Sequence, residues 1–484
     1  MNASPPQAPP VLLRPSRSLP IVLAVALFME NMDSTVIATS LPQIASDIGT
    51  SPVALKLALT AYLVSLAIFI PVSGWMADRY GAKNVFRAAI AVFVAGSLAC
   101  AFANSLGAFV VSRFLQGMGG AMMTPLARLV LVRSTPKAAL VSTMAWLTTP
   151  ALIGPMVGPP IGGFITTYFS WHWIFILNVP IGIIGIIAAT RVLPEIPREG
   201  RRKLDVTGFL LAAMAAAGIV FGLSVISLPA LPPAFGIVTA AIGLASLGLY
   251  VRHALRTTNP LLDVRLFKLP IFRAALGGSI CFRIGTGAMP FLLPLMFQLA
   301  FGLSPLQSGL ITFVSAIGAL SVKSLAAGIL RRAGFRTVTI ATAIIGAAFL
   351  AANALFTPTT PYLLILAVLL MGGFVRSLFF SSANTLIFAD IDDRQASQAT
   401  AIAATIQQMS VALGVAFAGG LLEATAAITG DGLDRFAFSV AFAAVGALAM
   451  LSAIFFVRMP ADAGSAISGH AAKIKTRNRP EIGE

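Results

Sequence analysis

Residues 28–42 read FMENMDSTVIATSLP, an apolar helical run with Glu30 and Asp33 three positions apart near its middle. That spacing puts both side chains on one helix face. The surrounding stretch, 20–41, has about the 20 mostly apolar residues that a membrane-crossing helix needs. A carboxylate at bilayer depth costs at least about 2.5 kcal/mol. Such a pair is therefore either neutralised to serve structure alone or used to take up and release protons.

The rest of the chain continues in the same manner. Of 484 residues, 57% are hydrophobic and 10% are charged, and the mean hydropathy is +0.91. Soluble domains carry roughly 25% charged residues, so an all-α membrane protein is expected. Apolar runs predict fourteen spans: 20–41, 55–77, 87–104, 107–131, 141–167, 172–192, 206–227, 233–251, 271–298, 305–327, 337–356, 361–388, 396–424 and 435–457. The connections are too short to hold a soluble domain. The polar, Pro-rich start lacks a short apolar region with a small-residue cleavage site, so the first span is expected to be retained. Cys100 and Cys281 lie inside apolar runs and read as small core side chains.

The net charge of +16 would suggest nucleic acid in a soluble protein. Here the basic residues fall in alternate connections: Arg79, Lys83 and Arg87; Arg128, Arg133 and Lys137; Arg198, Arg201, Arg202 and Lys203; Arg252, Arg256, Arg265 and Lys268; Arg331, Arg332 and Arg336. The tail adds Lys473, Lys475, Arg477 and Arg479, while the opposite side offers Lys56 and Arg435. Positive charge marks the cytoplasmic side. The expectation is a multi-pass protein of the plasma membrane, the bacterial inner membrane, with both termini cytoplasmic, its basic tail near anionic lipid and no nucleic-acid partner.

A repeat is also visible. DRYGAKNV (78–85) follows the second span and RRAGFRTV (331–338) the tenth. Superposing Gly81 on Gly334 gives an offset of 253, which sets Glu30 against Arg283 and Asp33 against Thr286. The expected organisation is a cytoplasmic segment 1–19, a six-helix bundle 20–192, a linker with two additional helices 193–270, a second six-helix bundle 271–458 and a tail 459–484. Transporters built of two halves show repeats of this kind.

Gly154, Gly158 and Gly162 recur at every fourth residue, so one helix face lacks side chains and permits close approach. Pro155, Pro159 and Pro160 would kink the same helix. Tight packing and a hinge are both open on these residues alone. The span interiors hold Arg113, Arg283, Lys323 and Arg376 against Glu30 and Asp33, with Glu423 near a helix end. Lys323 is expected to reach the interface, and Arg113 to be committed to one of the carboxylates. Arg283, about 16 Å into its span at 1.5 Å per residue, and Arg376 are left to bind an anionic substrate group or backbone carbonyls. The sequence has no G-x-x-x-x-G-K-[ST] loop, so an ion gradient is the expected fuel. His172, His253 and His470 are scattered, and no nucleophile–base set can be assembled. Neither a metal, a cofactor nor enzyme activity is expected.

Four stretches together resemble the major facilitator superfamily and, within it, the fourteen-span drug:proton antiporters. They are MDSTVIATSLPQIA (32–45), GWMADRYGAKN (74–84), RFLQGMGGAMMTP (113–125) and GPMVGPPIGGFI (154–165), and WHWIFILNVPIG (171–182) is typical of the same group. The resemblance implies two six-helix bundles that alternate access, with two helices inserted between them. It implies proton coupling at Asp33, with Arg113 tuning proton handling; Glu30, on the same helix face, is read as the partner of Asp33. Gln116, in the third stretch, is grouped with Arg283 and Arg376 for substrate. Gly74, Asp78, Arg79 and Gly81 would form a cytoplasmic latch, and Gly154, Pro155, Gly158, Gly162 and Gly163 a hinge. The chain departs from the pattern at Ala82 and Asn84, where basic residues are usual, which implies a weaker latch; Arg331 replaces the acid in the second copy. The implied function is proton-coupled export of small molecules, multidrug in type, by a monomer whose partners in any tripartite assembly are left open. A dedicated exporter of an organic anion, such as a carboxylate or its metal chelate, is the alternative. A non-transporting sensor is a third reading, disfavoured by the lack of a soluble signalling domain.

Overall fold

The computed structural model describes residues 18–136, 139–196, 203–228, 231–392, 394–430, 432–460 and 463–464. Lys137, Arg198, Arg201, Arg202 and the basic tail residues Lys473 to Arg479 lie outside the described residues. The described residues are helical in every predicted span, with no strand among them. In chain order the helices are α1 (Ser18–Asp47), α2 (Lys56–Tyr80), α3 (Ala82–Ala101), α4 (Leu106–Ser134), α5 (Leu140–Tyr168), α6 (His172–Val192) and α7 (Val206–Val225). There follow α8 (Pro233–Arg256), α9 (Pro270–Ala300), α10 (Pro305–Ala333), α11 (Phe335–Leu355), α12 (Tyr362–Ile387), α13 (Ala396–Thr429) and α14 (Arg435–Val457).

Among the described residues, twelve of these are long and apolar enough to cross a membrane. The other two, α4 and α5, have 29 residues each. Arg113, Arg128 and Arg133 dilute the apolar character of the first, and Pro150, Pro155, Pro159 and Pro160 that of the second. Both nevertheless pack inside the bundle, α4 on α2 and α3, and α5 on α1 and α10.

Local chemistry sets the helix ends. The Ser105 hydroxyl accepts from the Ala108 N–H at 3.3 Å, and Ser304 and Gln307 form a reciprocal capping box at the start of α10. Gly81 ends α2 with φ +89°, and Gly334 ends α10 with φ +74°. A side chain at either site would be strained. These are the two glycines that the 253-residue offset superposes, and they share one kind of backbone turn. At the start of α7, Asp205 accepts from the N–H groups of Gly208 and Leu261 and pairs with His253 of α8 at 2.8 Å. Burial alone would raise the Asp205 carboxyl, but these hydrogen bonds outweigh it and hold the group below its ordinary value.

In the packing, α1 lies against α5 and α6, and α3 against α4 and α6; α9 lies against α12, α13 and α14, and α11 against α12 and α14. The two groups meet where α5 crosses α10 and α2 crosses α13. α7 leans on both α2 and α13, and α8 packs on α7. Gly218 and Gly222 of α7 face Gly243 and Ala240 of α8 so closely that a Cβ would overlap backbone.

Candidate functional site

Asp33 is fully buried, and its partners come from two other helices, α4 and α6. Arg113 Nη1 of α4 donates to Asp33 Oδ2 at 2.7 Å and to Gln116 Oε1 at 2.6 Å. Gln116 Nε2 and Asn178 Nδ2 of α6 each donate to Asp33 Oδ1 at 2.8 Å. Asn178 also donates to Ser97 of α3 at 3.0 Å, and Ser97 to the carbonyl of Phe175 at 2.9 Å. The Arg113 guanidinium lies 4.3 Å above the ring of Tyr62, on α2. A charge buried this deeply persists only with a partner and with its remaining lone pairs satisfied, and here one carboxylate meets an arginine and two amides.

Glu30, one turn before Asp33, accepts from the Thr124 hydroxyl of α4 at 2.8 Å and is 8% exposed. The two carboxylates thus share the α1–α4 side but have different partners. Arg113 is committed to Asp33. Gln116, assigned to substrate by its sequence, lies inside the Asp33 network and is fully buried. Its place three residues after Arg113, on the same helix face, was the available signal. Asn178, Ser97, Tyr62 and Thr124 were missed, being neutral residues within apolar runs.

A cavity of about 430 Å³ opens between the two groups of helices, lined from α1, α5, α9, α10, α11, α12 and α13. Its charged lining residues are Arg283, Arg376 and Lys323, and no acid is among the described residues that line it. Arg283 donates to Asn384 Oδ1 at 2.9 Å and stands 4.3 Å from the Phe380 ring centroid. Arg376 has no ion-pair partner among the described residues. Lys323, expected at the interface, lines the same cavity. The Asp33 network is set apart from this lining.

The small-residue face of α5 meets α1 along its length. A Cβ at Gly154 would lie 2.9 Å from the Phe28 carbonyl; one at Gly158 would overlap Thr35, and one at Gly162 the backbone of Val36. Gly163 packs in the same way on Pro305 of α10, and Gly309 of α10 on Pro159. Pro155 lines the cavity between these contacts, in a helix that runs unbroken from Leu140 to Tyr168.

At the end of the molecule where α1 finishes and α2 begins, three polar contacts join the groups. Lys56 of α2, fully buried, pairs with Glu423 of α13 and donates to Ser227, after α7, at 2.7 Å. Gln298 of α9 donates to the Thr39 carbonyl at 2.9 Å, and the Leu306 N–H to Thr167 at 3.2 Å. At the opposite end Asp78 meets Arg133 of α4 at 3.4 Å, both partly exposed, and Gly74 and Arg79 face outward. The expected latch acid is thus paired within the α1–α6 group.

A family model described as Major Facilitator Superfamily matches residues 23–415 and 275–479. Proteins of Salmonella heidelberg (strain SL476) and Salmonella typhimurium (strain LT2) that carry the provisional name multidrug resistance protein MdtD are 36% identical over 452 residues. These cover 91% of this chain and 94% of each relative. Among solved structures, a D-xylose–proton symporter matches with TM-score 0.67 and 15% identity, over 92% of this chain and 98% of its own. The human organic anion transporter MFSD10 matches with TM-score 0.60 and 15% identity, over 91% and 99%. At that identity these two speak for the fold alone.

Proposed function

The chain belongs to the major facilitator superfamily, and we propose that it exports small molecules across the bacterial inner membrane in exchange for protons, in the manner of a multidrug pump. The observation that carries this reading is the buried Asp33–Arg113 pair, placed beside the cavity yet outside its lining. Taking up a proton on Asp33 removes the charge that holds Arg113, so loading rearranges contacts among α1, α4 and α6. Substrate and proton then act on separate sites that share α1, as exchange requires. The name of the MdtD relatives supports the multidrug class.

In this reading the halves 20–192 and 271–458 rock about the cavity, fourteen helices span the membrane, and both termini face the cytoplasm. Asp33 and Glu30 carry protons, and Arg113 tunes them. Asp78 with Arg133 acts at the cytoplasmic end, and the Lys56–Glu423 end faces outward and is closed. The α5 glycines give α1 and α10 a smooth surface to turn against. The test is proton release from proteoliposomes under an imposed pH gradient, with ethidium as the probe. Wild type should release protons on ethidium addition and Asp33→Asn should not; equal release by both would remove Asp33 from the coupling role.

A second reading follows from the three basic and no acidic residues in the cavity lining: the substrate is an organic anion, a carboxylate or its metal chelate. Guanidinium suits carboxylate through paired hydrogen bonds, and charge complementarity disfavours a cation there. Arg283→Gln with Arg376→Gln should lower carboxylate transport by at least about tenfold, roughly one charge-assisted hydrogen bond, and leave ethidium transport unchanged. Undiminished carboxylate transport by the folded double variant would rule out the basic cavity as the substrate site.

A further inference from the structure

Tyr62 is 1% exposed and has no role in the reading above. Its ring lies under the Arg113 guanidinium at 4.3 Å, and Phe175 stands farther off at 6.0 Å. Its hydroxyl is buried and makes no hydrogen bond with described residues, so the side chain is not kept there to satisfy its own polar end. The sequence makes room for it: a Cβ at Gly117 would lie 2.6 Å from the Tyr62 carbonyl, and one at Gly120 would lie 3.2 Å from its hydroxyl. The glycines of RFLQGMGG thus clear the α4 face that Tyr62 fills.

We infer that the ring of Tyr62 holds Arg113 in place while Asp33 is protonated, which makes Tyr62 a positioning residue of the coupling site. This rests on the proposal that Asp33 exchanges protons. Arg113 Nη1 makes the bonds to both Asp33 and Gln116, and Nε makes none. Once Asp33 is neutral, the buried guanidinium keeps Gln116 Oε1 and the ring face. A cation above an aromatic face is attracted by its quadrupole, most strongly where water is excluded. With the carboxylate neutral the guanidinium can settle fully on the ring, so the ring stabilises the protonated state more than the ionised one. The charged and titratable groups around the pair are Glu30 on α1, Cys100 on α3 and Arg128 farther along α4. α6 contributes the neutral Asn178, and α5 has only Tyr168, at its far end.

The experiment is infrared difference spectroscopy of the purified full-length protein across pH. The Asp33 carboxylic-acid band is identified as the one lost in Asp33→Asn. Tyr62→Phe keeps the ring and should keep the wild-type midpoint. Tyr62→Leu and Tyr62→Met remove it and should move the midpoint about one pH unit toward acid, the size of a desolvated cation–π contact. Two variants guard against one failing to fold. An unmoved midpoint in Tyr62→Leu or Tyr62→Met overturns the inference, as does a shift in Tyr62→Phe, which would assign the effect to the hydroxyl. If no band is lost in Asp33→Asn at any pH, the proton role of Asp33 itself is overturned, and this inference with it.

Discussion

Arg113→Met should lower the stability of the purified protein by about 3–5 kcal/mol, the usual cost of removing one partner from a buried ion pair. Asp33 would then sit fully buried with only Gln116 and Asn178 to answer its charge. Methionine matches much of the arginine stem in volume, so the loss reports charge more than packing. The companion variant Asp33→Asn/Arg113→Met removes both charges and should recover most of that stability while remaining unable to release protons. Thermal unfolding in detergent reads the first effect and proteoliposome proton release the second. If the single variant is destabilised by less than about 1 kcal/mol, as for an exposed pair, the network does not hold the charge in the way its geometry indicates. If the double variant stays as unstable as the single, packing and not charge is responsible.

Lys56→Met should open the end of the molecule that Lys56 now closes. Its stem passes over Gly419 of α13 and its ammonium meets Glu423 and Ser227. It thereby joins α2, α13 and the segment after α7. Methionine fills the same channel without the charge and leaves Glu423 facing an apolar neighbour. Thr39 lies in this region with no exposed surface. With Cys100 and Cys281 replaced by serine, a cysteine at Thr39 should react with an impermeant maleimide at least about tenfold faster in the Lys56→Met background, equivalent to about 1.4 kcal/mol in the closed–open balance. The exchange Lys56→Glu/Glu423→Lys should restore slow labelling, which neither half of the exchange does alone. Unchanged labelling in Lys56→Met would mean that the Gln298–Thr39 and Leu306–Thr167 contacts close this end without the ion pair.

Much of this was legible in the sequence because lipid leaves a helix few choices. Apolar runs predict each helix found among the described residues, and the largest boundary differences occur where polar turns extend a span, as in α1 and α10. Asp33 announced itself by being costly, and its need for a cation pointed to Arg113. Gly81 and Gly334 were matched by local sequence and share one backbone turn. Partners far apart in the chain were not legible. Lys56 read as a loop residue on the sparsely charged side and Glu423 as a helix-end acid, 367 positions away; only the crossing of α2 and α13 brings them together. Asp78 likewise finds Arg133, which had been read as a topology marker. Neutral residues were the hardest: Asn178 and Tyr62 carry no desolvation penalty large enough to stand out, so their function becomes visible only through what they touch.

The position of α7 has a mechanical consequence. A rod resting on two bodies that turn against each other cannot stay fixed to both. If the halves rock as proposed, α7 keeps its grip on one of α2 and α13 and slips on the other in every cycle. Its contacts there are smooth: Ala216 and Val220 of α7 meet Val64 and Ile68 of α2 and Ala412 of α13. Apolar surfaces of this kind slide without breaking directional bonds; the Ser227–Lys56 hydrogen bond is the directional contact at its end. In that motion the inserted pair would work as a bearing, with a detent where Ser227 engages, and the travel of the halves would be limited by how far that bearing can run.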